Sequence, residues 1–485
     1  MALKDTRMTR RGLLRLSCAG AGAALLAACQ PKIVEVEKVV TQVVKEVVKE
    51  EVIVEGTPKV VEKIVEKVVT APPAPKEKVE LAIYGFQGAA LEPTFAAIAP
   101  RFMEQFPDID VLSKSYAAAP GETEERMITR LAAGERPDTM WLHTLRTYEF
   151  VRLQVLEKLN DDTVYPGYSE LEAAIFPQMI ARLKLDMEDV YIMPNCIDIH
   201  SPTYNLDMAD AAGLDADNPP KTWEEYLVWL DALQGQGTWP VDMLVHTAWA
   251  IMLYLASYPG MYTDTIVTIA DTEAFKSLLD TEPVVETVKL FKDIFDKGWV
   301  SPERAAPGTN FFNDQLVPIS FTPSNRGYKG MENAIGDKFR WAPMGYPLPP
   351  NAKKAEPAVT GVGDGMGQVI FKIAEHKAES WEWIKFCTQV EQEADFGRNY
   401  YTPARADMGN HPYLDEGIPQ HKQAVDLAVN GIPRVGMEYT RIEAVIQQEY
   451  QRVLFEDKPV EEAMSFASQE FDTLLLAVQE ARAAR

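Results

Sequence analysis

Basic residues are in short supply. The chain of 485 residues carries 48 Lys and Arg against 72 Asp and Glu, a formal net charge of −24. A phosphate backbone is gripped by a basic footprint, so this balance argues against nucleic acid as a partner. It suits a surface that stays clear of its neighbours. Histidine is scarcer still, at 6 residues. The sequence has no H-E-x-x-H, no G-x-S-x-G, no phosphate-cradling Walker loop and no dinucleotide fingerprint. It therefore reads as a non-enzyme. A surface hydrolase is a remote alternative, because paired carboxylates for glycoside cleavage cannot be placed from sequence. The 4 cysteines are too few for a disulfide scaffold. No apolar run reaches the ~20 residues that a spanning helix needs.

The chain does have an address. Arg10 and Arg11 form a twin-arginine pair in a basic opening, and an Ala- and Gly-rich stretch runs from Leu13 to Ala28, broken by Arg15 and Ser17. That pattern reads as a secretion signal over residues 1–28, with the arginine pair suggesting the Tat route. Leu26-Ala27-Ala28-Cys29 resembles the bacterial lipobox. The expectation is cleavage before Cys29, a lipid on its thiol, and attachment to the outer face of the cell membrane. Cys18 leaves with the signal. Cys196 and Cys387 remain, and two small buried thiols are favoured over a disulfide that spacing alone cannot establish.

Residues 29–78 read as a tether. From Lys32 to Thr70 the chain is Val, Glu and Lys in low complexity, and Pro72, Pro73 and Pro75 stiffen its exit. The valine pairs recur close to helical spacing, while valine itself favours strands. Period and propensity disagree, so a helical spacer and a self-associating one both stay open. Fully helical, the segment would span about 60 Å.

From Val79 the pattern becomes that of a packed globule. Val79–Tyr84, Ile109–Leu112 and Thr139–Leu142 read as strands. Phe95–Phe106 and Glu122–Ala133 read as amphipathic helices between them. Further helices are expected at Trp223–Leu233, Thr272–Leu279, Val284–Lys297, Ala378–Val390, Gln420–Val429, Tyr439–Phe455 and Val460–Arg482. Strand and helix in alternation indicate an α/β sheet.

Several local patterns then occur in a telling order. Arg101-Phe102 leads to Phe106-Pro107-Asp108-Ile109-Asp110-Val111, and Leu131-Ala132-Ala133-Gly134 to Pro137-Asp138. Val155-Leu156-Glu157-Lys158-Leu159 follows. Pro194 precedes Tyr204-Asn205-Leu206-Asp207, Ala212-Gly213-Leu214 and Pro219-Pro220-Lys221-Thr222-Trp223-Glu224-Glu225. Gly361–Phe371 is a Gly-rich return strand, and Tyr400–Arg405 contains Pro403-Ala404-Arg405. From Val79 onward the chain resembles the bacterial extracellular solute-binding proteins of sugar ABC transporters, the maltose-binding-protein family. The resemblance implies an α/β two-lobed periplasmic-binding-protein fold of type II, with a ligand cleft between the lobes and a helical C-terminal end. Lobe one would be 79–198 plus 358–400, and lobe two 199–357 plus 403–485. Partners would be a small solute, chiefly a sugar, and the permease subunits of an importer. The globule itself would be monomeric.

A sugar is held by aromatic platforms, carboxylates, amides and charged donors. Gln87 follows the first strand, where loops face the crevice of an open sheet. Of Trp141 and His143, the resemblance leaves open which ring faces the ligand. Asp198 matches the spacing of a hydroxyl-accepting acid. His246 and Trp249 match a segment that carries an acid and rings in the maltose binder, with His246 in place of the acid. Asn325 and Arg326 stand where the family often has a Trp. Asp364 sits among glycines that allow close approach, and Tyr439 opens the penultimate helix. No cofactor and no metal are expected, since His143, His200 and His246 are not at ligand spacing. The ligand could instead be a glycerol phosphodiester, a peptide, or a metal or anion.

Overall fold

The computed structural model describes residues 41–54, 57–70 and most of 78–483. Within the last range, 86–87, 116–121, 188, 244, 247–250, 252–254, 256–268, 272–273, 304–309, 322–326, 351–359, 400 and 429–438 lie outside the described residues. So do 1–40, 55–56, 71–77 and 484–485, and with them Cys29, Gln87, Trp249, Asn325 and Arg326. The chain divides into two compact units, Met1–Glu77 and Lys78–Arg485.

In the first unit, β1 (Thr41–Val54) and β2 (Thr57–Thr70) form an antiparallel hairpin of 14 residues a side. β-branched valine in a pleated strand loses little side-chain freedom, and here that preference outweighs the near-helical spacing of the pairs. The hairpin spans about 46 Å, at 3.3 Å per residue.

The second unit is built on two sheets. The first has six strands in the order β14-β6-β13-β5-β3-β4. These are β3 (Val79–Gly85), β4 (Ile109–Ser115), β5 (Thr139–His143), β6 (Met193–His200), β13 (Thr360–Ile370) and β14 (Thr402–Pro403). β3 runs parallel to β4 and β5, while β13 is antiparallel to β5 and β6. The second sheet has the order β12-β7-β11-β8. Its strands are β7 (Thr203–Asn205), β8 (Val241–Asp242), β11 (Ile319–Ser320) and β12 (Trp341–Pro343). β8 and β11 are parallel, and β7 is antiparallel to β11 and β12. A minor pair, β9 (Ala270–Asp271) and β10 (Lys276–Ser277), lies apart from both.

Helices flank the sheets: α1 (Gly88–Gln105), α2 (Glu122–Ala132), α3 (Thr144–Arg152), α4 (Pro177–Met187), α5 (Leu206–Ala211), α6 (Trp223–Ala232) and α7 (Glu282–Asp296). After them come α8 (Tyr328–Ile335), α9 (Lys377–Cys387), α10 (Val390–Arg398), α11 (Pro419–Ala428), α12 (Tyr439–Glu456) and α13 (Val460–Ala483). One expected helix does not form. Within Thr272–Leu279 the described residues make a turn at Ala274 and Phe275 and the strand β10, with Phe275 at φ 51°. Ser277 N donates to Asp472 on α13 at 2.6 Å, a tertiary bond that holds the segment extended. The region expected as Ala378–Val390 is two helices, broken at Thr388 and Gln389.

Each sheet has its own core. The first gathers Ile83, Phe102, Trp141, Leu142, Met193, Met366, Trp383 and Phe396. The second gathers Tyr204, Tyr226, Val241, Ile319, Phe291, Tyr450 and Phe471. The first core also takes Phe312, Tyr328, Phe339 and Trp341, and continues through Ala404, Tyr413 and Val425. Neighbouring residues of β12 divide between the two, Trp341 in the first and Ala342 against the second, as the two faces of a strand require. The cysteines Cys196 and Cys387 are free and buried, and burial pushes the Cys387 thiol up. Among the described residues no helix is long and apolar enough to cross a membrane.

Candidate functional site

The chain passes from the first sheet to the second at Ser201-Pro202, between β6 and β7. Two bonds pin this crossing: Met344 N donates to the Pro202 carbonyl at 2.8 Å, and the Ser201 and Tyr328 hydroxyls share a buried bond of 2.8 Å. The C-terminal ends of β5 and β6 lie at one edge of the first sheet, and those of β8 and β11 reach the level of Thr203 in the second. Strand C-termini are where open α/β sheets collect ligands, and here two such edges bracket one crossing.

At the first edge, His143 ends β5 opposite Met366, and Asp198 in β6 stands directly opposite Asp364 in β13. Asp198 is 1% exposed. Trp141 is fully buried, its ring edge-on to Phe95 at 6.2 Å and to Tyr401 at 6.4 Å. It is a wall of the first core, and His143, half-buried at the last position of the strand, is the one of the pair that reaches the edge. Asp138 is structural. Its Oδ2 accepts from Ala82 N at 2.9 Å and its Oδ1 from His376 N at 3.2 Å, joining β3 to the start of α9. Arg405 is also a clamp, forked onto Asp407 and bonded to the Thr388 carbonyl, with its backbone N–H on Glu393.

The second edge is built by a row across the sheet: Thr203, Ser320 and Asp242 are register partners through β7, β11 and β8. The row presents two hydroxyls and a carboxylate. Among the described residues the buried Thr203 hydroxyl has no partner. Burial alone pushes the Asp242 carboxyl up to about 6. His246 follows β8 by four residues.

Tyr439 and His246 are not brought together. The start of α12 packs against α3, where Glu443 is an electrostatic neighbour of Arg146. Burial raises the Glu443 carboxyl, and Arg146 pulls it back. The His246 ring instead stacks on Phe455 at 5.8 Å, near the far end of the same helix. Sixteen residues of helix separate Tyr439 from Phe455, about 24 Å at 1.5 Å each. Tyr439 is the first position of the helix whose early residue Glu443 neighbours Arg146 of α3, and His246 lies against the opposite end.

Asp242, Arg146 and Glu443 are thus site candidates that sequence reasoning missed. A signal existed for each. Asp242 closes the apolar run Trp239-Pro240-Val241, and Arg146 and Glu443 lie one helical turn after His143 and Tyr439. The donors and acceptors suit a neutral polar solute. Among the described residues no three His, Cys, Asp or Glu side chains stand close enough to hold a metal.

Solved structures share the fold. An ABC transporter solute-binding protein from Thermotoga lettingae, bound with alpha-D-tagatose, is 21% identical, covering 82% of this chain and 100% of that one, with a TM-score of 0.64. An ABC substrate-binding protein from Listeria monocytogenes in complex with cycloalternan is 18% identical over 82% and 99% of the two chains, with a TM-score of 0.67. The sugar-binding protein MalE from Xanthomonas citri is 19% identical over 84% and 100%, with a TM-score of 0.66. These likenesses establish an α/β two-lobed binding-protein fold. The family model for the bacterial extracellular solute-binding protein matches residues 97–419, and the chain belongs to that family.

Proposed function

We propose that this protein captures a carbohydrate between its two lobes and delivers it to the permease of an ABC importer, from a position fixed outside the membrane by lipid on Cys29. The observation that carries the reading is the convergence of two sheet edges on the Ser201-Pro202 crossing, with His143 and Asp198 on one side and Asp242 on the other. Carboxylates accept sugar hydroxyl protons, and the half-buried His143 ring stands at the edge beside them. Structural relatives bind tagatose and cycloalternan, so the sugar reading spans one ring to several. Contacts made only when the lobes close would shift the population toward the closed form.

A thermal-unfolding screen over mono- and oligosaccharides tests it. A sugar at 100 times its Kd adds about 2.7 kcal/mol of stability, and Asp198→Asn lowers that gain. Stabilisation by a glycerol phosphodiester or a peptide and by no sugar would move the protein to another solute class. Turnover of an oligosaccharide would make it a hydrolase. For the anchor, metabolic labelling with a fatty acid should mark the wild type, and Cys29→Ser should abolish the label and release the protein.

A further inference from the structure

We propose that the hairpin of the first unit shortens the tether by doubling it back, so that the segment between Cys29 and Lys78 is a short leash and not a spacer. The functional part of this rests on the lipid proposed for Cys29. β1 and β2 pair along their whole length, and the two outer ends of the hairpin, Thr41 and Thr70, are register partners. Antiparallel partners stand ~5 Å apart. The chain therefore leaves the hairpin beside the point where it entered. A helix over the same residues would carry the chain onward by ~1.5 Å per residue, whereas the hairpin carries it nowhere.

The residue pattern supports the doubled form. On one face Val43 is opposite Val68, Lys45 opposite Glu66, Val47 opposite Ile64 and Lys49 opposite Glu62. Opposite-charge and β-branched pairs are the ones that stabilise a ladder. On the other face each glutamate position lies diagonal to two lysine positions: Glu46 to Lys63 and Lys67, and Glu50 to Lys59 and Lys63. Five lysines and six glutamates over residues 41–70 nearly cancel, so self-repulsion does not force the segment out straight. Lysines and Pro58 on strands that each keep one outer edge discourage further strands from adding.

The length that remains is set by the flanks. Twelve residue steps lead from Cys29 to Thr41 and eight from Thr70 to Lys78. Whatever their conformation, these twenty steps span at most ~70 Å, and the paired ends add ~5 Å. Without the hairpin the same segment has 49 steps and could reach ~170 Å. Lys78, where the second unit begins, thus stays within ~75 Å of Cys29. The volume open to it falls with the cube of the reach, about tenfold. Its local concentration at a permease in the same membrane rises by the same factor.

Pulsed electron-spin distance measurement on the full chain, expressed without lipid, tests this. The chain carries Cys18→Ser and Lys78→Cys, with nitroxides at positions 29 and 78; Cys196 and Cys387 are buried. One variant replaces residues 41–70 by Gly-Gly. A second, Val47→Pro with Val48→Pro, removes two consecutive backbone donors, one of which faces the ladder. The wild type should give the same distance distribution as the Gly-Gly variant, with nothing beyond ~75 Å. The proline variant should lengthen the mean by about half, as the square root of the number of steps requires. Wild-type distances longer than those of the Gly-Gly variant, or a proline variant that matches the wild type, would overturn the proposal. Fatty-acid labelling of Cys29 decides the lipid separately, since neither measurement depends on the other.

Discussion

Asp242 is a carboxylate held in a costly place, and its cost depends on pH. Among the described residues no cation or donor serves it, and burial lifts its pKa from 3.8 to about 6. Below pH ~4 the group is protonated in both folded and unfolded chains and contributes nothing. Between ~4 and 6 the unfolded chain gives up its proton while the folded one keeps it, so stability falls as pH rises. Above 6 the loss levels off, on the order of 2–3 kcal/mol at 1.36 kcal/mol per unit. Asp242→Asn should therefore raise stability at pH 7.5 by about that amount and leave it unchanged near pH 3.5. Urea unfolding at the two pH values checks it, and an unaltered pH slope in the variant would refute the assignment. In the proposed role the same substitution weakens solute binding by about tenfold, the worth of one hydrogen bond to a charged group. Asp198 was read by family spacing as a hydroxyl-accepting acid, and the structure places it, buried, in β6 two residues before the end of the strand. The choice between Trp141 and His143 was not legible. Positions 141 and 143 share a face of β5, and what separates them is Phe95 on α1 and Tyr401 before β14, both distant in sequence.

Elements were readable where local chemistry and packing agree. Thr222 caps α6 through a full capping box: its hydroxyl accepts from Glu225 N at 3.2 Å, and the Glu225 carboxylate accepts from Thr222 N. Thr222→Ala should cost about 1 kcal/mol, read as a shift in urea midpoint with an unchanged m-value. The return strand β13 could be recognised by its glycines, but their reason lies in the partner strand. A Cβ at Gly367 would stand 2.2 Å from the Met193 carbonyl oxygen and 2.8 Å from Pro194 Cα, where the register with β6 shifts. A Cβ at Gly365 meets the flexible end of Met179 instead. Gly367→Ala should thus destabilise by more than about 3 kcal/mol and Gly365→Ala by about 1. Equal losses would show that backbone approach is not what the glycine provides. The failures have the opposite cause. Thr272–Leu279 has helical spacing, yet a bond from α13 holds Ser277 extended. In the tether, valine pairs at near-helical intervals form strands because branching at Cβ outweighs period when no core selects one face.

At the scale of the molecule, the order of motifs disclosed the fold and left the borders of the lobes unsettled. The chain from residue 403 onward was expected with the second lobe. Its packing changes later: Ala404, Met408, Tyr413, Leu414, Ala424 and Val425 join the first core, and the second resumes at Ile442. A crossing such as Ser201-Pro202 has a sequence mark, but the side on which a short helix comes to rest depends on contacts hundreds of residues away. Both cores, both sheet edges and every described site candidate lie between Lys78 and Arg485. A chain begun at Lys78 should accordingly fold by itself and bind the same solute with a Kd within about twofold of the full chain, since a factor of two is only ~0.4 kcal/mol. Titration calorimetry on the two chains decides this. A loss beyond tenfold would mean that the Val/Glu/Lys segment contributes to the site. An unchanged Kd would place solute selection wholly in the second unit.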